Sequence, residues 1–340
     1  MKILITGGAG FIGSNFVRYM ATSYPDYQYL VLDKLTYAGN YSNIEELVEQ
    51  GKVRFIKADI GNPAELEQLS SEGINQIVNF AAETHVDRSI TDPGLFIRTN
   101  ILGVNNLLDL ARRLEIRFHQ VSTDEVFGSL SLVNLDAKFL ETTPYDPRSP
   151  YSASKAGADH LVNAYHHTYG LWTTISNCSN NYGPYCYPEK LIPYFVISMT
   201  KGLNVPVYGN GKNIRDWLYV EDHCRAIDQI IHHGRAGESY CVGGGEEKST
   251  IEIADIIADQ LGLDYEPKVF TKDRPGHDQR YAIDHTKIST ELGYKPQYSF
   301  ESGIRQTIDW YLTNPGWWEP LLSGLKKQDF IDSGKFLSSL

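Results

Sequence analysis

The sequence predicts an α/β protein, a doubly wound parallel sheet followed by a smaller mixed α/β lobe at the carboxyl end. Three observations carry this. Short apolar runs alternate with helical patterns through the first half of the chain. A glycine-rich turn follows the first apolar run at once. A tyrosine and a lysine then stand four apart on a long helical stretch. Strict alternation of strand and helix makes a parallel sheet with both faces covered.

The runs at 3–6, 29–32, 53–57, 77–80 and 118–122 read as strands. The stretches at 14–23, 43–49, 63–71 and 100–113 read as the helices between them. A long helix should run from about residue 150 to 167, stopped by Tyr169-Gly170, with a strand at 172–176 beyond it. From Asn177 the regularity falls. Tyr182-Gly183-Pro184-Tyr185, Tyr208-Gly209-Asn210-Gly211 and Asp273-Arg274-Pro275-Gly276 mark turns. Helices near 250–261 and 300–311 fit the second lobe. Residues 1–176 thus read mainly as a dinucleotide-binding domain of Rossmann type. Residues 177–320 read mainly as a substrate lobe that returns some strands to the main sheet, and 321–340 as a tail. From Trp317 onward the sequence carries no clear signal.

The net charge is 31 − 42 = −11, with no basic cluster, which argues against nucleic acid and anionic membranes as partners. No apolar run approaches the roughly 18–20 residues that span a bilayer. The opening run, Ile3-Leu4-Ile5, enters the glycine turn directly and reads as a strand, not a signal peptide. Cys178, Cys186, Cys224 and Cys241 have no zinc-type spacing. We expect no metal, reduced thiols and a cytoplasmic location.

Gly7, Gly10 and Gly13 give G-x-x-G-x-x-G between the first strand and its helix. Gly7 permits the tight turn, Gly10 lets backbone approach a pyrophosphate, and Gly13 lets the helix pack closely. The helix N-terminus, with Phe11 and Ile12 in its first turn, then faces the negative phosphates. Asp33 ends the second strand and should accept from the adenosine ribose hydroxyls, favouring NAD over NADP because a carboxylate repels a 2′-phosphate. The plain alternative is an Asp capping the next loop. Asp59 and Ile60 could bracket the adenine, and Ala81 and Ala82 could lie along the cofactor; ordinary loops account for them equally well.

Tyr151 and Lys155 share one helix face. A phenol of pKa about 10 is a poor base near neutrality. A nearby ammonium and a cationic nicotinamide ring would favour the phenolate. Thr123, Asp124 and Glu125 follow the fifth strand, where ligands bind in open α/β sheets. Thr123 suits a substrate hydroxyl. Adjacent carboxylates repel, so one can stay protonated, the division of labour that removing water requires.

The glycine motif from Thr6 to Ser14 and Tyr151-Ser152-Ala153-Ser154-Lys155 resemble the extended short-chain dehydrogenase/reductase family. Segments 81–90, 122–128, 177–193, 213–223 and 273–284 are similar to its members that dehydrate nucleotide-linked glucose. The resemblance runs from Met1 to about Tyr311. It implies a homodimer built through paired long helices and NAD held throughout turnover. It also implies a dTDP-linked glucose as substrate, oxidised at C4 with Tyr151 as base. Glu125 would then take the C5 proton, Asp124 would protonate the leaving C6 hydroxyl, and C6 would be reduced. Thr84, His85, Asn180, Glu189, Lys190, Tyr208, Arg215, Thr250 and His277 match its substrate contacts. Asn180 and Arg215 match diphosphate positions, and Tyr208 one lining the base. A salt bridge from Arg215 to Asp216 or Glu221 is the plain alternative. Phe127, Thr84, Thr250, Gly245-Glu246 and Cys186 depart from the family's residues, which bears on the sugar and nucleotide. A UDP-sugar 4,6-dehydratase and an NAD-dependent epimerase are the alternatives; an epimerase has no use for both Asp124 and Glu125.

Overall fold

The computed structural model describes residues 1–273 and 277–323. Arg274, Pro275 and Gly276, from the expected turn at 273–276, lie outside the described residues, as does the tail from 324. The first half supplies β1 (Lys2–Thr6), β2 (Gln28–Asp33), β3 (Val53–Lys57), β4 (Gln76–Asn79), β5 (Arg117–Thr123) and β6 (Thr173–Cys178). The second half supplies β7 (Asn180–Tyr182), β8 (Val205–Tyr208), β9 (Ile214–Tyr219), β10 (Ser239–Val242), β11 (Glu247–Ser249) and β12 (Lys268–Thr271).

The main sheet has seven strands in the order β10-β6-β5-β4-β1-β2-β3, all pairs parallel. Its strands are apolar because both faces are buried. One face packs Leu4, Leu30, Ile77 and Phe118 against helix Val104–Leu114; the other packs Ile3, Ile5, Val31 and Val78 against Phe16, Val17 and Met20. Buried polar groups in the sheet satisfy one another. Thr6 Oγ1 donates to Asn79 Oδ1 at 2.5 Å, and Asn79 Nδ2 to Gln120 Oε1 at 2.8 Å, linking three adjacent strands. The winding reverses between β1 and β4, which opens a crevice at their carboxyl ends.

Helix Pro150–Tyr169 has textual signals at both ends. Ser149 and Ser152 form a reciprocal capping box, Pro150 occupies the first turn, and Gly170 ends the helix at φ 69°. Several expected helices are subdivided. Residues 97–103 form a π-helical turn before Val104–Leu114, and 3-10 turns cover Tyr41–Asn43 and Glu67–Ser71.

The second lobe holds more helix than the sequence predicts. Besides Thr250–Leu261 and Phe300–Thr313, it contains Leu191–Thr200, Val220–His233, Thr286–Leu292 and Pro315–Leu322. Leu191–Thr200 is apolar nearly all round and buried, so it lacks the two-faced pattern that marks a surface helix. Pro315–Leu322 corrects the reading that nothing is legible beyond Trp317: Trp317 Nε1 donates to Asn43 Oδ1 at 2.7 Å, tying this helix to the first half. Two small sheets, β11-β9-β7 and β12-β8, complete the lobe, while β10 returns to the main sheet.

Arg280 fastens the 134–137 loop to the second lobe. It is fully buried and donates to Glu247 Oε2 at 2.6 Å and Oε1 at 2.8 Å. It also donates to the carbonyls of Ala137 at 2.8 Å and Leu135 at 2.7 Å. Arg280→Met strands those acceptors, so urea denaturation should show a loss of about 3–5 kcal/mol.

Candidate active site

One cleft of about 370 Å³ runs along the sheet's switch point. Gly7, Gly10, Phe11, Ile12, Gly13, Asp33, Asp59, Ile60, Ala81 and Ala82 line one part of it. Thr84, Thr123, Asp124, Glu125, Tyr151, Lys155, Asn180, Glu189 and Lys190 line the rest. Residues far apart in sequence therefore meet in one space because the strand ends of a parallel sheet all point the same way.

The dinucleotide end has the geometry such a group needs. Gly7 sits at φ 68°, and a Cβ there would lie 2.5 Å from Ala81 N. A Cβ on Gly13 would lie 2.3 Å from the Gly7 carbonyl. The loop is thus pressed against the backbone following β4, where no side chain fits. Helix Phe11–Ser23 begins with no side-chain cap, leaving first-turn N–H groups for an anion. Asp33 is buried; its Oδ2 accepts from Ala9 N at 3.0 Å and its Oδ1 from Leu35 N at 2.8 Å. It therefore does cap its own loop, and each oxygen keeps a second lone pair for a ribose hydroxyl. Lys34, the nearby cation, is paired with Asp59 at 2.6 Å. These residues fit NAD, with a carboxylate where NADP would carry a phosphate.

Thr123 ends β5, and Asp124–Phe127 form a single 3-10 turn. Thr123 Oγ1 accepts from Glu125 N at 3.2 Å and lies 3.3 Å from Asp124 Oδ1. Thr123 is also among the groups that ease ionisation of the Tyr151 hydroxyl.

Asp124 is 1% exposed, and its Oδ2 has no hydrogen-bond partner among the described residues. Burial, then Glu125 and Asp216, hold its carboxyl well above the usual range; Arg215 and Thr123 oppose this. Burial therefore biases Asp124, of the two adjacent carboxyls, toward its protonated form. The linkage has a definite sign. A carboxyl raised in the folded state adds stability that is full below its unfolded value of about 3.9 and is lost as pH rises through its folded value. Asp124→Asn, which cannot ionise, should melt about 2 °C or more above the parent at about pH 8, the gap closing toward about pH 4.

The Tyr151 hydroxyl is pushed well above its ordinary pKa by burial, then by Glu125 and Cys178. The Lys155 ammonium donates to the Val121 carbonyl at 2.7 Å. A bound, positively charged nicotinamide would add the second of the two charges expected to favour the phenolate.

His85, Tyr208, Arg215, Thr250 and His277 do not line this cleft. His85 lies behind it, 3.8 Å from Glu189, and caps helix Val86–Thr91. Arg215 stacks on Tyr281 at 4.3 Å and donates to the Asp278 carbonyl at 3.1 Å. The salt-bridge alternative does not hold, since Glu221 pairs with Arg225 and Asp216 accepts from Glu246 N. Tyr208 and His277 meet edge to face, with His277 on Asp273 at 2.7 Å. Thr250 starts helix Thr250–Leu261, whose Ile251 N donates to the Gly211 carbonyl at 3.2 Å, in the turn after Tyr208. Tyr37 was missed: its hydroxyl donates to Glu189 Oε1 at 3.0 Å, and Arg88 lies 3.5 Å over its ring. No motif marks it; only the fold brings residue 37 to residue 189.

A dinucleotide crevice that also holds a tyrosine–lysine pair and a buried carboxyl beside a second one defines a nucleotide-dependent redox enzyme equipped for elimination. The model of the GDP-mannose 4,6 dehydratase family matches residues 4–307. The dTDP-glucose 4,6-dehydratase of Salmonella typhimurium is 48% identical, over 95% of this chain and 96% of its own. The Streptomyces venezuelae dTDP-glucose 4,6-dehydratase, solved with NAD and dTDP, superposes with a TM-score of 0.89 at 48% identity, covering 94% of this chain and 100% of that one. The Bacillus anthracis enzyme, solved with NAD, gives 0.88 at 46%, covering 94% and 99%. The chain belongs to the nucleotide-sugar 4,6-dehydratase family, among the dTDP-glucose 4,6-dehydratases.

Proposed function

We propose that this chain is a hydro-lyase that converts dTDP-glucose into the 4-keto-6-deoxy sugar nucleotide. The observation that carries the reading is the buried Asp124 beside Glu125 in the same cleft as Tyr151. NAD, when bound, would supply the hydride acceptor for C4 and the hydride donor for C6. Gly7, Gly10, Phe11, Ile12, Gly13, Asp33, Asp59, Ile60, Ala81, Ala82 and Lys155 would hold it.

Tyr151 takes the proton of the C4 hydroxyl, with Thr123 holding that oxygen in place. The C4 ketone acidifies the C5 hydrogen, which Glu125 removes. Asp124 gives its proton to the C6 hydroxyl, which leaves as water. A proton then returns to C5. Asn180, Glu189, Lys190 and Thr84 hold the sugar and diphosphate, and His85, outside the cleft lining, supports Glu189. Tyr208, Arg215, Thr250 and His277 serve the nucleotide end. Incubating the protein separately with dTDP-glucose and UDP-glucose tests the reading by mass spectrometry. Loss of one water from the dTDP sugar supports it; loss from the UDP sugar alone corrects the nucleotide, and loss from neither refutes it.

The working unit is a homodimer. Ile90, Ile97 and Leu102 stay 46%, 55% and 47% exposed on helical turns around the Pro150–Tyr169 helix, an apolar surface that a second copy would cover. Replacing Ile97 and Leu102 together with Glu should halve the mass seen by light scattering. Among the described residues no helix is long and apolar enough to cross a membrane. The four cysteines are free and buried, which suits the reducing cytoplasm.

A further inference from the structure

Asp159 lies one turn beyond Lys155 on helix Pro150–Tyr169 and is fully buried. Its Oδ2 accepts from three separate segments: Ser122 Oγ at 2.6 Å, Tyr145 Oη at 3.1 Å and Asn177 Nδ2 at 3.3 Å. Lys155 Nζ donates to the carbonyl of Val121 at 2.7 Å. Successive turns of the helix thus grip successive residues of β5, just before Thr123-Asp124-Glu125. Asn177 Nδ2 also reaches the Thr123 carbonyl at 3.3 Å.

Asp159 Oδ1 has no hydrogen-bond partner among the described residues. Burial pushes its carboxyl up, and a buried carboxylate stays ionised only with a cation near it. Lys155, four residues back on the same helix face, is the cation that opposes the rise; Ser122, Tyr145 and Asn177 are neutral donors. Lys155 has the mirror problem, since burial disfavours its ammonium while Asp159 favours it.

We propose that Asp159 is a positioning residue: it is the counter-charge that keeps Lys155 cationic in the cleft, and the anchor that ties the end of β5 to the Tyr151 helix. Its link to catalysis rests on the dehydratase reading above; its pairing with Lys155 does not.

Melting temperatures of the parent, Asp159→Asn, Lys155→Met and the double variant form a cycle that needs no turnover. Each single change strands one buried charge, so the double variant should lose less than the sum of the two. Additive losses overturn the pairing. Should Asp159→Asn fail to fold, recovery on adding Lys155→Met supports it and no recovery refutes it. With dTDP-glucose, Asp159→Asn should lower kcat about tenfold or more while KM stays within about twofold. Tyr145→Phe, which keeps both charges, should hold kcat within about threefold. An equal loss in Tyr145→Phe would place the effect in the hydrogen bonds and overturn the counter-charge. A parent protein inactive on dTDP-glucose with an intact melting cycle would count against the dehydratase reading alone.

Discussion

Glu125→Gln is expected to oxidise the sugar and then stop. Glu125 lies beside a carboxyl that burial pushes well up, the arrangement that suits a division into base and acid. Oxidation at C4 asks nothing of either. Gln keeps the size of Glu and the backbone N–H that Thr123 Oγ1 accepts at 3.2 Å, so the turn should survive. Overall turnover should fall by about 10²–10⁴ while the first oxidation persists. Rapid mixing with dTDP-glucose should show the absorbance of reduced nicotinamide rise and stay, with little dehydrated sugar by mass. Parental turnover in Glu125→Gln would remove Glu125 from the C5 step.

Tyr151→Phe should fail earlier. The phenol oxygen is the only atom lost, and it is buried within reach of Thr123. Without it the C4 hydroxyl keeps its proton and oxidation should slow by about 10³. The same rapid-mixing trace should then stay flat, although the protein binds NAD and dTDP-glucose as before. A fast rise in absorbance would assign the base to another group. The pair of variants separates the two halves of the reaction, since one stalls after oxidation and the other before it.

Much of this was legible because it is local. Gly7, Gly10 and Gly13 report backbone approach, and Tyr151 and Lys155 report one helix face. The long helix announced itself through Ser149, Pro150 and Gly170. What stayed hidden depends on contacts between distant residues. Tyr37 meets Glu189 across 152 positions, and Arg280 meets Glu247 and the 134–137 loop. Leu191–Thr200 was silent because a helix buried all round has no polar face to set its period. The surroundings of Tyr151 were hidden for a related reason. Sequence spacing put Lys155 nearby, but only the structure turns its ammonium to the Val121 carbonyl and sets Glu125 against the phenol.

Incubation with dTDP-glucose in deuterium oxide asks most directly whether a transient ketone lets Asp124 and Glu125 expel water. Product that has lost one water and carries one solvent deuterium, located at C5 by NMR, is the predicted result. Hexose recovered with all its oxygens, or dehydrated sugar with no deuterium at C5, would contradict it.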